Sequence, residues 1–239
     1  MTEKEKYISP LSTRYASSEM QFIFSERFKF TTWRRLWVAL ARAEQAQGLH
    51  ITNEQLAEMQ AHVEDIDFAT AEQREREVRH DVMSHVYAYG KQCPEAEPII
   101  HLGATSCYVG DNTDVIILRE ASKVILKKAA QVLKNLTDFA EKYQSLPCLA
   151  YTHLQPAQLT TVGKRATLWA YDLIQDITRL EFELSQLKLL GSKGTTGTQA
   201  SFMELFGNNA QKVKAVEQQI AEEMGFTGCV PVTGQTYSR

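Results

Sequence analysis

Cysteine, glycine and proline are sparse in this sequence, whose 239 residues include 4 Cys, 12 Gly and 6 Pro. Cys93, Cys107, Cys148 and Cys229 are irregularly spaced and form no CxxC pair, which excludes a disulfide-stapled scaffold and argues against zinc or redox motifs. Strand-like alternation is scarce as well, so β-architecture has little support. No stretch approaches the roughly 18 apolar residues of a membrane span, and the charged segment Met1 to Tyr7 lacks the apolar core of a secretory signal. A cytoplasmic setting is therefore expected. Neither sign of charge dominates: 26 Lys and Arg oppose 29 Asp and Glu for a net charge of -3. That balance leaves no electrostatic footprint for nucleic acid or an anionic membrane, although a few local cations suffice for an anionic small molecule. With 44% hydrophobic and 23% charged residues, the composition is that of an ordinary globular chain long enough to bury a core.

What is present in abundance is helical periodicity. Ser9 to Tyr15 has no period and reads as an extended arm. Leu36, Trp37, Leu40 and Ala41 predict a helix from Thr31 to Gln47, capped by Thr31 or Thr32 and stopped by Gly48. Asn53 can cap a short helix bearing Leu56 and Met59. A further helical region runs from Asp67 to Gly90, with His80 and Asp81 able to recap it partway. Val115, Leu118, Ser122, Ile125, Ala129, Val132, Leu136, Phe139 and Tyr143 mark one stripe of a long helix over 112–143. After a loop over 145–158, a second stripe runs from Val162 through Trp169, Ile177 and Leu184 and ends at Gly191. A last helix is expected over 209–224, and 229–239 reads as extended. The expected class is all-α, with short helices in residues 1–104 and long bundle helices in 105–239, whose apolar seams need partners.

Four segments between helices carry polar chemistry. His153, flanked by Thr152 and Gln155, has an imidazole suited to proton transfer near neutrality, or is a solvated loop histidine. Gly103-Ala-Thr105-Ser106 offers hydroxyls and amides ahead of a helix, as an anion cradle or a plain cap. Arg79-His80-Asp81 joins a cation, a titratable ring and a carboxylate, although charge runs of this kind usually form a solvated face. His85 lies five positions beyond His80, which does not reproduce HExxH and excludes that zinc site. Lys193-Gly-Thr-Thr-Gly-Thr-Gln199 lacks a Walker ending and follows a helix, which argues against ATP binding.

Taken in order, Gly103-Ala-Thr-Ser-Cys-Tyr-Val-Gly-Asp-Asn-Thr-Asp114, Tyr151-Thr-His-Leu-Gln-Pro-Ala-Gln158, Lys193-Gly-Thr-Thr-Gly-Thr-Gln-Ala-Ser-Phe202 and Thr233-Gly-Gln-Thr-Tyr-Ser-Arg239 resemble segments of the adenylosuccinate lyase family in its animal-type branch. The wider group is the fumarase/aspartase superfamily, and the resemblance extends from Ser9 to the last residue. It implies β-elimination of fumarate from adenylosuccinate and from succinylaminoimidazolecarboxamide ribotide (SAICAR), without metal or organic cofactor. It also implies a homotetramer whose active sites each combine three subunits.

Position by position, the resemblance makes His153 the general acid with Thr152 beside it, and makes Thr105 and Ser106 the holders of the succinyl carboxylate. Arg79, His80 and Asp81 become a substrate-contacting cluster, Arg14 and Tyr15 a phosphate contact, and Gln235 a substrate-binding amide. The family's catalytic base, a serine on a glycine-, serine- and proline-rich loop, belongs to a later segment that these 239 residues do not include. The expectation is an N-terminal part of a longer enzyme, inactive alone. The alternatives are a non-catalytic assembly protein on the same bundle and another fumarate-releasing lyase such as argininosuccinate lyase.

Overall fold

A computed structural model describes residues 7–234 of the chain. The described residues form two compact units, one of residues 7–118 with 188–234 and the other Arg119–Leu187. The long helix α6, Ser106–Lys142, runs from the first into the second, so the division falls within a helix rather than near residue 104.

The first unit is built on α2, Glu26–Ala46. Its start lies upstream of Thr31 because Ser25 Oγ accepts the amide of Phe28 at 3.2 Å and caps the first turn. Thr32 turns inward instead and donates to the Phe28 carbonyl at 2.8 Å, the back-bonding open to a mid-helix hydroxyl. The segment expected to be an extended arm is a single π-type turn, Leu11–Tyr15, followed by α1, Ser18–Ile23. Trp33, Leu36, Trp37 and Leu40 of α2 are fully buried. Around them lie α3, Asn53–Ala61, α4, Phe68–Val78, and α5, Asp81–Gln92. The cap of α3 is Thr52 rather than Asn53, through a capping box with Gln55.

The recapping expected at residue 80 occurs: Arg79 takes φ +53° to end α4, and His80 caps α5. Arg34, buried in α2, donates to the carbonyls of His62 and Asp65 and to Gln92 Oε1, which ties the turn after α3 to the end of α5. The unit is completed by α8, Ala200–Leu205, and α9, Ala210–Glu223, the latter packed on α2 and capped by Asn209.

The second unit holds most of α6, then α7, Val162–Gln186. Where a loop is expected between them, β1, Pro147–Thr152, pairs antiparallel with β2, Gln155–Thr161. Leu149 and Leu159 face each other across the pair, but Pro156 and a register shift between Leu149 and Tyr151 break the alternation that would have announced it. The end of α6 and the start of α7 cross backbone to backbone at Gly163, where a Cβ would sit 2.3 Å from the Ala140 carbonyl oxygen. α7 ends at Gln186, short of Gly191. The long-helix seam is largely uncovered: Leu118, Ile125, Val132 and Phe139 are 44 to 54% exposed. Among the described residues no helix is long and apolar enough to cross a membrane.

Glu44 lies in the first unit's core with no exposed surface, and neither carboxyl oxygen has a hydrogen-bond partner among the described residues. Burial pushes its carboxyl up from the ordinary glutamate value of 4.5 to about 8, so it is held neutral at pH 7. The folded state then binds a proton that the unfolded state has released, and stability falls as pH rises from about 4.5 to about 8. Each unit of pH in that window costs about 1.4 kcal/mol at most. Glu44→Gln should flatten this alkaline limb in denaturant titrations, and an unchanged slope would contradict the assignment.

Candidate functional site

The first unit gathers several of the expected residues around the start of α5 and of α6. His80 Nδ1 accepts the Met83 amide at 3.4 Å and lies 3.8 Å from Asp81 Oδ1. On that hydrogen-bond assignment, the neutral ring carries its proton on Nε2, away from the helix. Asp81 Oδ1 also accepts the Val82 amide at 2.8 Å. An open groove of about 280 Å³ then brings Asp81 together with Ser106, Lys29, Trp33, Asp111 and Asp114. Ser106 reaches it because α6 begins there, six residues earlier than the periodicity indicates. Thr105, just before the helix, is buried, and its carbonyl accepts the Tyr108 amide at 2.9 Å. The preceding turn needs glycine: Gly103 has φ +68°, and a Cβ there would lie 2.6 Å from Leu205 Cδ1. Ser201 Oγ fixes this turn by donating to the Gly103 carbonyl at 2.6 Å.

Not all the expected residues converge there. Arg79 faces a separate open groove with Glu72, Glu75 and Arg76. Arg14 and Tyr15 lie in the first turn, with Tyr15 exposed and no hydrogen bond to the other candidates. Gln235 falls outside the described residues. Thr152 and His153 belong to the second unit, at the tip of its β-hairpin. Thr152 pairs with Gln155, so His153 and Leu154 form a two-residue turn, and both take positive φ, +48° and +62°. The mirror-image turns that suit hairpins favour Asn and Gly at these positions, so this turn holds two disfavoured residues. The imidazole is exposed and makes no hydrogen bond to another described residue, which leaves both nitrogens open to a ligand.

The loop that superficially resembles a phosphate cradle is structural in this chain. Lys193 is buried and donates to Glu217 Oε1 at 3.0 Å and to the carbonyls of Leu190 and Val230. His85, stacked on Phe30 at 3.7 Å between centroids, is lowered to about 4 by burial and then by Arg34, so it stays neutral in the core.

Two neighbours of the site have no sequence signal. His101, at φ +66°, accepts the Trp37 indole N–H on Nδ1 at 2.9 Å, and burial, with His80 nearby, lowers it to about 4. Lys29 reaches the groove from α2 with its ammonium 4.9 Å from the Trp33 ring. Lys29 lies upstream of the helix that periodicity marks from Thr31, and His101 lies in the turn before α6, so neither belongs to a motif.

The chain belongs to the family described as Lyase, which it matches over residues 14–238. Adenylosuccinate lyase of Saccharomyces cerevisiae is 51% identical over 100% of this chain and 50% of its own length. The enzyme of the same name from Schistosoma mansoni is 47% identical over the same shares. The chain thus spans about half the length of the curated relatives it matches. Among solved structures, 3-carboxy-cis,cis-muconate lactonizing enzyme from Pseudomonas putida superposes with a TM-score of 0.79 at 26% identity, over 93% of this chain and 50% of that one. A fumarate lyase from Mesorhizobium sp. BNC1, 24% identical over 91% of this chain and 50% of its own, shares the fold with a TM-score of 0.79.

The strained turn gives a direct test. Leu154→Asn, which tolerates positive φ, should slow hydrogen exchange of the β1 and β2 amides, and Leu154→Val should speed it, with the two variants separated by about 1–2 kcal/mol. Equal protection in both would contradict strain at this position.

Proposed function

We propose that this chain is the acid-bearing, substrate-binding half of an adenylosuccinate lyase. Its reaction is the β-elimination of fumarate from adenylosuccinate, leaving AMP, and from SAICAR, leaving aminoimidazolecarboxamide ribotide. What carries the reading is the 51% identity to a relative of that name over the whole of this chain.

In this mechanism a base removes the proton beside a succinyl carboxylate, and the electron pair moves to form the fumarate double bond as the carbon–nitrogen bond breaks. His153 gives its proton to the departing nitrogen. Its exposure at a turn with both nitrogens uncommitted suits that role, since a general acid must reach the leaving atom directly. Thr152 lines the same pocket. Thr105 and Ser106 hold the carboxylate on which negative charge accumulates; the Ser106 hydroxyl borders the groove and can donate to it. Arg79, His80 and Asp81 contact the substrate, with His80 at the phosphate end, where Nε2–H is a donor. Arg14 and Tyr15 meet the phosphate, and Gln235 supplies an amide contact.

The base is a serine on a later segment of the whole enzyme. Each active site draws on three subunits of a homotetramer, and the uncovered apolar seam of α6 is the surface that assembly would bury. The enzyme works in the cytoplasm.

In a fumarate-release assay on the full-length enzyme, His153→Ala should lower turnover by about 10²–10⁴-fold. Turnover at the parent rate would overturn the acid assignment. The 239-residue chain alone should release no measurable fumarate, and robust turnover by it would require a base among its own residues.

A further inference from the structure

The second unit contains a groove that this mechanism does not use. It lies at the base of the β-hairpin, has a volume of about 270 Å³, and is lined by Tyr151, Leu149, Thr160, Lys164, Arg165 and Leu168. Its chemistry is one-sided. Lys164 and Arg165 are adjacent cations with no ion pair or side-chain hydrogen bond to any described residue, and no carboxylate lines the groove. In the same unit Lys123 is paired with Glu120 and Lys134 with Asp138. Helix amides do not supply the attraction. Val162 and Gly163 donate to the carbonyls of Leu146 and Tyr143, and Lys164 to Thr161 Oγ1, so the positive field comes from the two side chains. Beside them Tyr151 presents a ring that is 62% exposed, flanked by the apolar groups of Leu149 and Leu168.

We propose that this groove binds a small phosphate ester carrying a planar ring, of about the size of a mononucleotide. Arg165 supplies a planar fork and Lys164 a point charge, a pairing suited to a phosphate dianion, and the Tyr151 face takes the ring. The volume admits one ring with one sugar phosphate and leaves no room for a polymer to be enclosed.

Occupancy has a structural consequence. Tyr151 lies opposite Pro156, which has no N–H to give, and beside the register shift, so the tip of β1 is tied weakly to β2. A ligand bridging Tyr151 of β1 to Lys164 and Arg165 of α7 adds the missing tether, two residues from His153.

The test is equilibrium binding to the 239-residue chain, which is independent of turnover and of any role for His153. AMP, inorganic phosphate and adenosine serve as probes in calorimetry, with hydrogen exchange read on the hairpin. AMP should bind saturably at about millimolar concentration, weaken as salt rises, and slow exchange at Tyr151 and Thr152. Inorganic phosphate should bind more weakly and adenosine should not saturate. Lys164→Gln with Arg165→Gln, helix-compatible changes checked by unchanged circular dichroism, should weaken AMP binding at least about tenfold. Tyr151→Ala should bring AMP down to the affinity of inorganic phosphate. Parent-like AMP binding by the double variant, equal binding of adenosine, or no saturable binding of AMP would overturn the proposal.

Discussion

Asn112 is fully buried nearly two turns into α6, and its carboxamide spends every hydrogen bond it can make on backbone. Oδ1 accepts the amides of Leu190 at 2.7 Å and Gly191 at 3.3 Å, and Nδ2 donates to the carbonyls of Tyr108 at 2.7 Å and Gly191 at 3.2 Å. This one side chain locks the start of α6 to the segment that returns after α7. From there the constraint spreads. Gly191 turns at φ +94° against Glu217, Lys193 bonds Glu217 and the Val230 carbonyl, and Leu189 bridges to Cys229. The turn carrying Thr105 and Ser106 is held from the other side by Ser201 and Gly103. The groove at Ser106 and Asp81 is thus set by buried polar contacts whose loss would leave unsatisfied groups in a low-dielectric core.

The buried histidines of the first unit and the one histidine of the second are placed in opposite settings. In the first, histidines 85 and 101 are buried, lowered to about 4 and committed to packing or to an indole N–H. They cannot exchange protons with a substrate at neutral pH. In the second, the only histidine stands on an exposed turn with no intramolecular partner among the described residues. A substrate can complete its hydrogen bonding without first breaking a protein contact. The cost is moved into the backbone, where two residues sit in the left-handed region.

Much of this was legible in the sequence, wherever helical period and punctuation agreed. The break before His80, the helix that follows Asn209 and the two long helices follow from capping and stripe spacing. The errors have separate physical causes. Thr31 and Thr32 look like caps, yet both are buried inside the helix, which extends back to the Ser25 cap. Gly110 and Asp111 look like loop residues, but Asp111 and Asn112 are buried in α6 by tertiary contact, which local propensity cannot foresee. The hairpin was hidden by Pro156, the register shift and a turn lacking glycine. The distribution of the motif residues between two units, and the presence of Lys29 in the groove with Asp81 and Ser106, were not legible, because those depend on distant chain segments.

In the proposed reaction His153 delivers the proton to the leaving nitrogen. Its most direct test is a crystal structure of the full-length enzyme, with its base serine replaced by alanine and adenylosuccinate bound. A ring nitrogen of His153 within about 3.2 Å of the bridging nitrogen of the substrate is the predicted result. A well-ordered substrate with His153 turned to solvent and another acid at that nitrogen would contradict the account.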